Sequence, residues 1–209
     1  MMPEMRRSPA WAAVVSGVFN PLLAPTFGFL LLFSLPAYFA LLLPMRVRLM
    51  MLSVVFINTA LLPLISMIML KRIGLISSIT LEVRGERLYP LLLGAILTYL
   101  TYFLLHRMSL PGVYSTFLFG TTLVALLLLI ITWKYPISIH LAALGGISGM
   151  LLGLQLRGMA PAIDWLALSI LVSGMMGTAR MLQNAHNALQ VVLGWLLGFA
   201  VMTACFLYF

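Results

Sequence analysis

The sequence predicts an all-α protein, a polytopic membrane bundle of six to seven transmembrane helices. Three observations carry that expectation. The chain of 209 residues is 63% hydrophobic and only 8% charged, with a mean hydropathy of +1.14. A soluble domain of this size cannot hide so much apolar surface, whereas a bilayer solvates it. The apolar runs are continuous rather than alternating, which selects helices over a β-barrel. They are also too many and too long for a secretory leader followed by a soluble body.

Taken in order, residues 1–20 read as an N-terminal interfacial segment, with a polar, basic stretch from Met1 to Pro9 and a short apolar one from Trp11 to Phe19. Residues 21–209 form one transmembrane domain, because no linker is long enough to divide them. Spans are expected near 21–43, 49–70, 88–106, 113–133, 138–156, 162–180 and 187–208. Each is long enough to cross roughly 30 Å of hydrocarbon. Pro21, Pro25 and Pro36 interrupt or bend the first span, since proline removes a backbone donor and clashes with the preceding turn. In the fifth span Gly145, Gly149 and Gly153 recur every four residues, with Gly146 alongside, and Gly194 and Gly198 repeat the spacing in the last. Such small-residue stripes let helices approach closely in lipid. They place the helix after His140 and the helix after His186 in the protein interior.

Twelve Lys and Arg against four Asp and Glu give a net charge of +8. In a chain with no soluble domain these cations lie in loops or at helix ends, where they snorkel and meet anionic membrane lipids. No extended basic segment with interleaved aromatics points to nucleic acid. Cys205 is the single cysteine, so no intramolecular disulfide forms. No metal-ligand cluster is present, and neither a metal nor another cofactor is expected. One side of the membrane carries Arg6, Arg7, Lys71, Arg72, Arg84, Arg87, Lys134 and Arg180, and the other Arg46, Arg48, Arg107 and Arg157. The excess places the first side in the cytoplasm by the positive-inside rule. Setting aside Arg84, Arg87, Lys134 and Arg180 as candidate functional residues makes the two sides equal. Charge therefore leaves orientation open.

Three polar segments return to the first side. Lys71-Arg72 followed by Glu82-Val-Arg84-Gly-Glu86-Arg87-Leu-Tyr89-Pro90 is one, Trp133-Lys134-Tyr135-Pro136-Ile-Ser138-Ile-His140 another, and the stretch from Arg180 to Gln190 the third. Hairpins of two spans separate them, so they share one face. Gln190 lies four residues after His186, on the same side of a helix. Asn184 reads as the N-cap of that helix, with His186 in its first turn, where backbone N–H groups favour an anion. The chemistry that fits is phosphoryl transfer. Arg and Lys stabilise charge on the equatorial oxygens, one histidine attacks phosphorus and a second protonates the leaving alkoxide.

These residues resemble the type 2 phosphatidic acid phosphatase superfamily, whose motifs run Lys-x6-Arg-Pro, Pro-Ser-Gly-His and Ser-Arg-x5-His-x3-Asp. Arg180, His186 and Gln190 have the spacing of the third, with Ala179 in place of its Ser and Gln190 in place of its Asp. The second is reduced to Ser138-Ile-His140, and Arg87-Leu-Tyr-Pro90 matches the end of the first. The resemblance covers roughly residues 71 to 205. It implies a metal-independent lipid-phosphate phosphatase that works through a phosphohistidine at the membrane interface. His186 would be the nucleophile, His140 the general acid, and Gln190 the residue that orients the nucleophile. Arg180, Lys134, Arg87 and Arg84 would hold phosphate oxygens, and Ser138 would donate a hydrogen bond. The implied substrates are phosphatidic acid, phosphatidylglycerol phosphate, isoprenyl phosphates or diphosphates, or a lipid A phosphate. The implied location is the non-cytoplasmic face of a bacterial inner membrane. Two other functions fit the same residues: a non-catalytic protein that binds anionic lipid or transports a small anion, and a structural membrane subunit.

Overall fold

The computed structural model describes residues 9–77, 88–108 and 110–208. Helices account for all the regular secondary structure among them. They are α1 (Ala10–Val18), α2 (Ala24–Ser34), α3 (Tyr38–Leu41), α4 (Met45–Phe56), α5 (Leu62–Arg72), α6 (Leu88–His106), α7 (Gly112–Lys134), α8 (Ile139–Leu156), α9 (Ile163–Leu182) and α10 (Ala188–Tyr208). Seven helical runs are long and apolar enough to cross a membrane: Ala10–Ser34, Met45–Arg72 and α6 to α10. The chain is an integral membrane protein.

The first two spans differ from the sequence reading. The first runs over Ala10–Ser34 rather than 21–43. Pro21 opens a 3-10 turn, Pro21–Leu23, that links α1 to α2, and Pro25 sits in the first turn of α2. Proline is tolerated there because the first helical N–H groups have no intrahelical partner. Both prolines therefore restart a helix instead of ending one. The true break comes at Leu35, which is extended ahead of Pro36. The α1 segment, expected to lie in the interface, packs along α9: Ala12 is fully buried, and the Ser16 hydroxyl reaches Gln183 Oε1 at 3.2 Å. The second span continues through a π-helical turn, Ile57–Leu61, into α5. Pro63 has no N–H for the Thr59 carbonyl, and the Leu62 N–H reaches back five residues to Ile57.

The core sits around α8, the most enclosed of the spans. Its partner is α10, and here the glycine stripes take effect. A Cβ on Gly145 or Gly149 would overlap the Trp195 or Phe199 carbonyl, and one on Gly198 or Gly194 would overlap the Ala142 or Ser138 carbonyl. Backbone thus meets backbone from both sides, which only glycine permits. The Thr203 hydroxyl adds a hydrogen bond to the Gly149 carbonyl at 3.3 Å. Hydroxyls then join α9 to the pair. Ser148 and Ser169 share a hydrogen bond at 2.9 Å, and Trp195 Nε1 donates to Ser173 Oγ at 3.1 Å. Interhelical polar contacts of this kind hold helices together where lipid offers no hydrophobic drive.

On the face opposite the polar segments, Arg48 in the first turn of α4 and Arg157 at the end of α8 reach backbone carbonyls of neighbouring segments. Arg48 donates to the carbonyls of Leu43 (3.0 Å) and Ala40 (2.6 Å), and Arg157 to that of Phe206 (3.0 Å). The Phe206 carbonyl lies in the last turn of α10, where no helical N–H remains to reach it, while Leu43 follows α3 and the Ala40 carbonyl also accepts from the Leu43 N–H at 3.3 Å. His106 stacks on Tyr102, and the Arg107 guanidinium lies 4.9 Å from the Phe103 ring centroid.

Gly198→Ala is expected to destabilise the bundle by about 1–3 kcal/mol, the usual cost of overpacking a tight contact. Gly174→Ala has open space around the new methyl and should leave stability unchanged or slightly raised. Thermal melting of both variants in detergent checks this pair of outcomes.

Candidate functional site

The α9–α10 corner is fixed at both ends. Arg180 lies in the last turn of α9. Asn184 follows the helix in the left-handed region, at φ 53°. The Ala185 N–H reaches the Arg180 carbonyl at 3.1 Å, and the Asn184 N–H reaches that of Met181 at 3.0 Å. This is the Schellman closure, with asparagine where glycine is usual. Asn184 therefore ends α9 and does not cap α10, contrary to the sequence reading. His186 also precedes α10, which begins at Ala188.

The cap of α10 is Asn187. Its Oδ1 accepts from the Gln190 N–H at 2.9 Å, and Gln190 Oε1 accepts from the Asn187 N–H at 3.1 Å. This reciprocal pair is a capping box. The pattern Asn-x-x-Gln was visible in the sequence as its signature. The same Gln190 Oε1 lies 3.1 Å from His186 Nδ1. A backbone N–H can only donate, so the capping box fixes which end of the amide is oxygen. An amide oxygen can only accept, so Nδ1 carries the proton. In the neutral ring, Nε2 is then the nitrogen without a proton.

His140 stands in the first turn of α8. It lies within electrostatic range of the Arg180 guanidinium and the His186 imidazole, and its ring is close to the backbone of Ser16 in α1. Arg180 is held in turn: its Nη1 donates to Gln183 Oε1 at 2.9 Å, the atom that also receives the Ser16 hydroxyl. Four elements thus converge on one point: α1, the start of α8, the end of α9 and the α9–α10 corner. The α8–α10 contact aligns them, because the Ser138 N–H donates to the Gln190 carbonyl at 3.1 Å.

The structure brings His140, Arg180, His186 and Gln190 together. Ser138 is fully buried against α10, and its hydroxyl has no hydrogen-bond partner among the described residues. Lys134 is exposed in the last turn of α7, and no hydrogen bond or ion pair ties it to the histidines among the described residues. Arg84, Arg87, Glu82 and Glu86 lie outside the described residues. Among the described residues no cluster of His, Cys, Asp and Glu could hold a metal ion. Sequence reasoning missed Ser16, Gln183 and Asn187. Gln183, three residues from Arg180, was legible as a helical neighbour. Ser16 was not, because its contact spans 167 positions.

No family model, curated protein or solved structure matches the chain. The His186 tautomer provides a direct check on the geometry. Nitrogen-15 spectra of histidine-labelled protein at high pH should show His186 protonated at Nδ1. Gln190→Leu should lose that preference, together with about 1 kcal/mol of helix capping, while Gln190→Glu should keep it. An Nε2-protonated ring in the native protein would contradict the assignment.

Proposed function

We propose that the chain is a metal-independent lipid-phosphate phosphatase, a divergent member of the type 2 phosphatidic acid phosphatase superfamily with its site at the membrane interface. The single observation that carries this reading is the meeting of two histidines and an arginine, with His186 oriented so that Nε2 is its reactive nitrogen. An anion binder needs the cation but neither the oriented imidazole nor its partner.

In this reading His186 Nε2 attacks phosphorus, and the bond from phosphorus to the leaving oxygen breaks. His140 gives its proton to that oxygen, and the phosphohistidine is then cleaved by water, whose proton returns to His140. Arg180 stabilises charge on the phosphoryl oxygens, most strongly in the transition state. Lys134, Arg84 and Arg87 are the further cations assigned to the phosphate. The buried Ser138 hydroxyl supports a ligand acceptor nearby, since buried polar groups in folded proteins find partners. Gln190 holds the tautomer, as the carboxylate of the family's motif would. Under the same reading the site would face the non-cytoplasmic side of a bacterial inner membrane.

One observation favours a second reading, non-catalytic binding of anionic lipid. The partner of His186 is an amide, which orients the ring but does not neutralise an imidazolium.

Purified protein should release phosphate from a panel of lipid phosphates in the presence of EDTA, and vanadate should inhibit it. His186→Ala should abolish release while leaving lipid binding nearly intact, whereas Arg180→Ala should damage both. Gln190→Glu keeps the length the capping box needs and supplies the missing charge, so it should raise turnover. Full activity in a clean preparation of His186→Ala would sink the enzyme reading and leave the binding one.

A further inference from the structure

An apolar cavity of about 130 Å³ lies between α2, the π-helical turn, α6, α7 and α8. Thr59, Thr98 and Thr121 bring hydroxyls to its wall, and all are satisfied elsewhere. Thr59 donates to the Val55 carbonyl at 2.9 Å, Thr98 to that of Gly94 at 2.7 Å and Thr121 to that of Phe117 at 2.8 Å. The rest of the lining is almost entirely hydrocarbon, with Leu128, Ile139 and Gly146 among it. A water molecule needs two to four polar partners, and an apolar cavity without them stays dry or takes up an apolar guest.

Two residues of the cavity wall are close in sequence to the polar site. Ile139 in its wall precedes His140, and Pro21 in its wall follows α1, which carries Ser16. Along α8 the lining extends from Ile139 to Ile147, a descent of about 12 Å at the helical rise. One end of the cavity therefore lies at the level of His140 on α8, and the cavity runs from there along the membrane-spanning length of that helix.

We infer that this cavity holds a stretch of one hydrocarbon chain of the amphiphile whose anionic head sits among His140, Arg180 and His186. The inference rests on the proposed reading of that polar site and names the shape of its substrate: an anionic head on a chain that enters the protein. A cavity of about 150 Å³ accommodates benzene. On that scale the space here takes on the order of five or six carbons, which is one chain and not two. On the α6 wall Gly94 leaves room, since a Cβ built there meets nothing within 4 Å. A larger side chain at Gly94 would fill the space the chain occupies.

The test compares the full chain with Gly94→Leu and Gly94→Ala in one detergent, titrated with n-alkyl phosphates from methyl to decyl and with inorganic phosphate. Detergent partition is common to all three proteins, so the ratio of native to variant affinity reports the cavity. For Gly94→Leu the ratio should rise by up to about fourfold per methylene, the value of a buried CH₂. It should level off near six carbons at tenfold or more, with inorganic phosphate bound equally by both. Gly94→Ala should stay close to the native protein. A ratio independent of chain length in a Gly94→Leu protein that melts like the native one would overturn the inference. If inorganic phosphate binds none of the proteins, the phosphate reading of the head site fails, and n-hexanol, followed by saturation-transfer NMR, decides the cavity by itself. Contact with hexanol that Gly94→Leu removes sustains the cavity as a hydrocarbon site, and contact that it leaves unchanged refutes it.

Discussion

The close crossing of α8 and α10 is the constraint on which the remaining structure depends. In lipid, helices gain little from hiding apolar surface, because the solvent is equally apolar. What remains is shape, dispersion and hydrogen bonding. Gly145 and Gly149 on one helix and Gly194 and Gly198 on the other bring the two backbones into contact. That approach fixes the axial register of the pair and therefore the height of His140 relative to His186. It also carries Trp195 to Ser173, so that α9 is drawn against both helices by hydroxyl contacts. The polar residues did not have to find each other; the glycines aligned the helices that bear them.

The α9–α10 corner shows how few atoms can set both a fold and a chemistry. Gln190 Oε1 closes the capping box and holds the His186 ring. A side chain at this position is thus answerable to helix stability as well as to the histidine. An aspartate, one methylene shorter, would have to choose between the two partners. The motif that the sequence resembles carries a carboxylate here, and the amide in this chain keeps the geometry while giving up the charge. On the opposite face, Arg48 and Arg157 hold backbone carbonyls of neighbouring segments.

Much of the fold was legible because bilayer solvation writes it in long apolar runs. Spans six and seven and the glycine pairs could be read directly; the nearness of His186 and Gln190 was expected from a common helix face, whereas His186 in fact precedes α10 and reaches Gln190 from the corner. The first span was misplaced because Pro21 and Pro25 look alike as breakers in sequence. Whether a proline ends or begins a helix depends on the turn that precedes it. Asn184 was mistaken for a cap because asparagine serves equally at an N-cap and in the left-handed closing position. The part of the site built by α1 was not legible. Ser16 is an ordinary residue in an apolar stretch, and only tertiary packing brings it to Gln183 and His140.

The π-helical turn at Ile57–Leu61 has a consequence for the whole second span. It acts as a one-residue frameshift in the helical repeat. Residues on either side of it keep different phase, so a stripe that faces the protein in α4 does not continue as the same stripe in α5. Thr59, at the shift, turns toward the cavity. Removing one residue there would restore an unbroken repeat and rotate every later side chain of the span by about 100°. That single inserted residue lets one continuous rod present two separately composed faces to its neighbours.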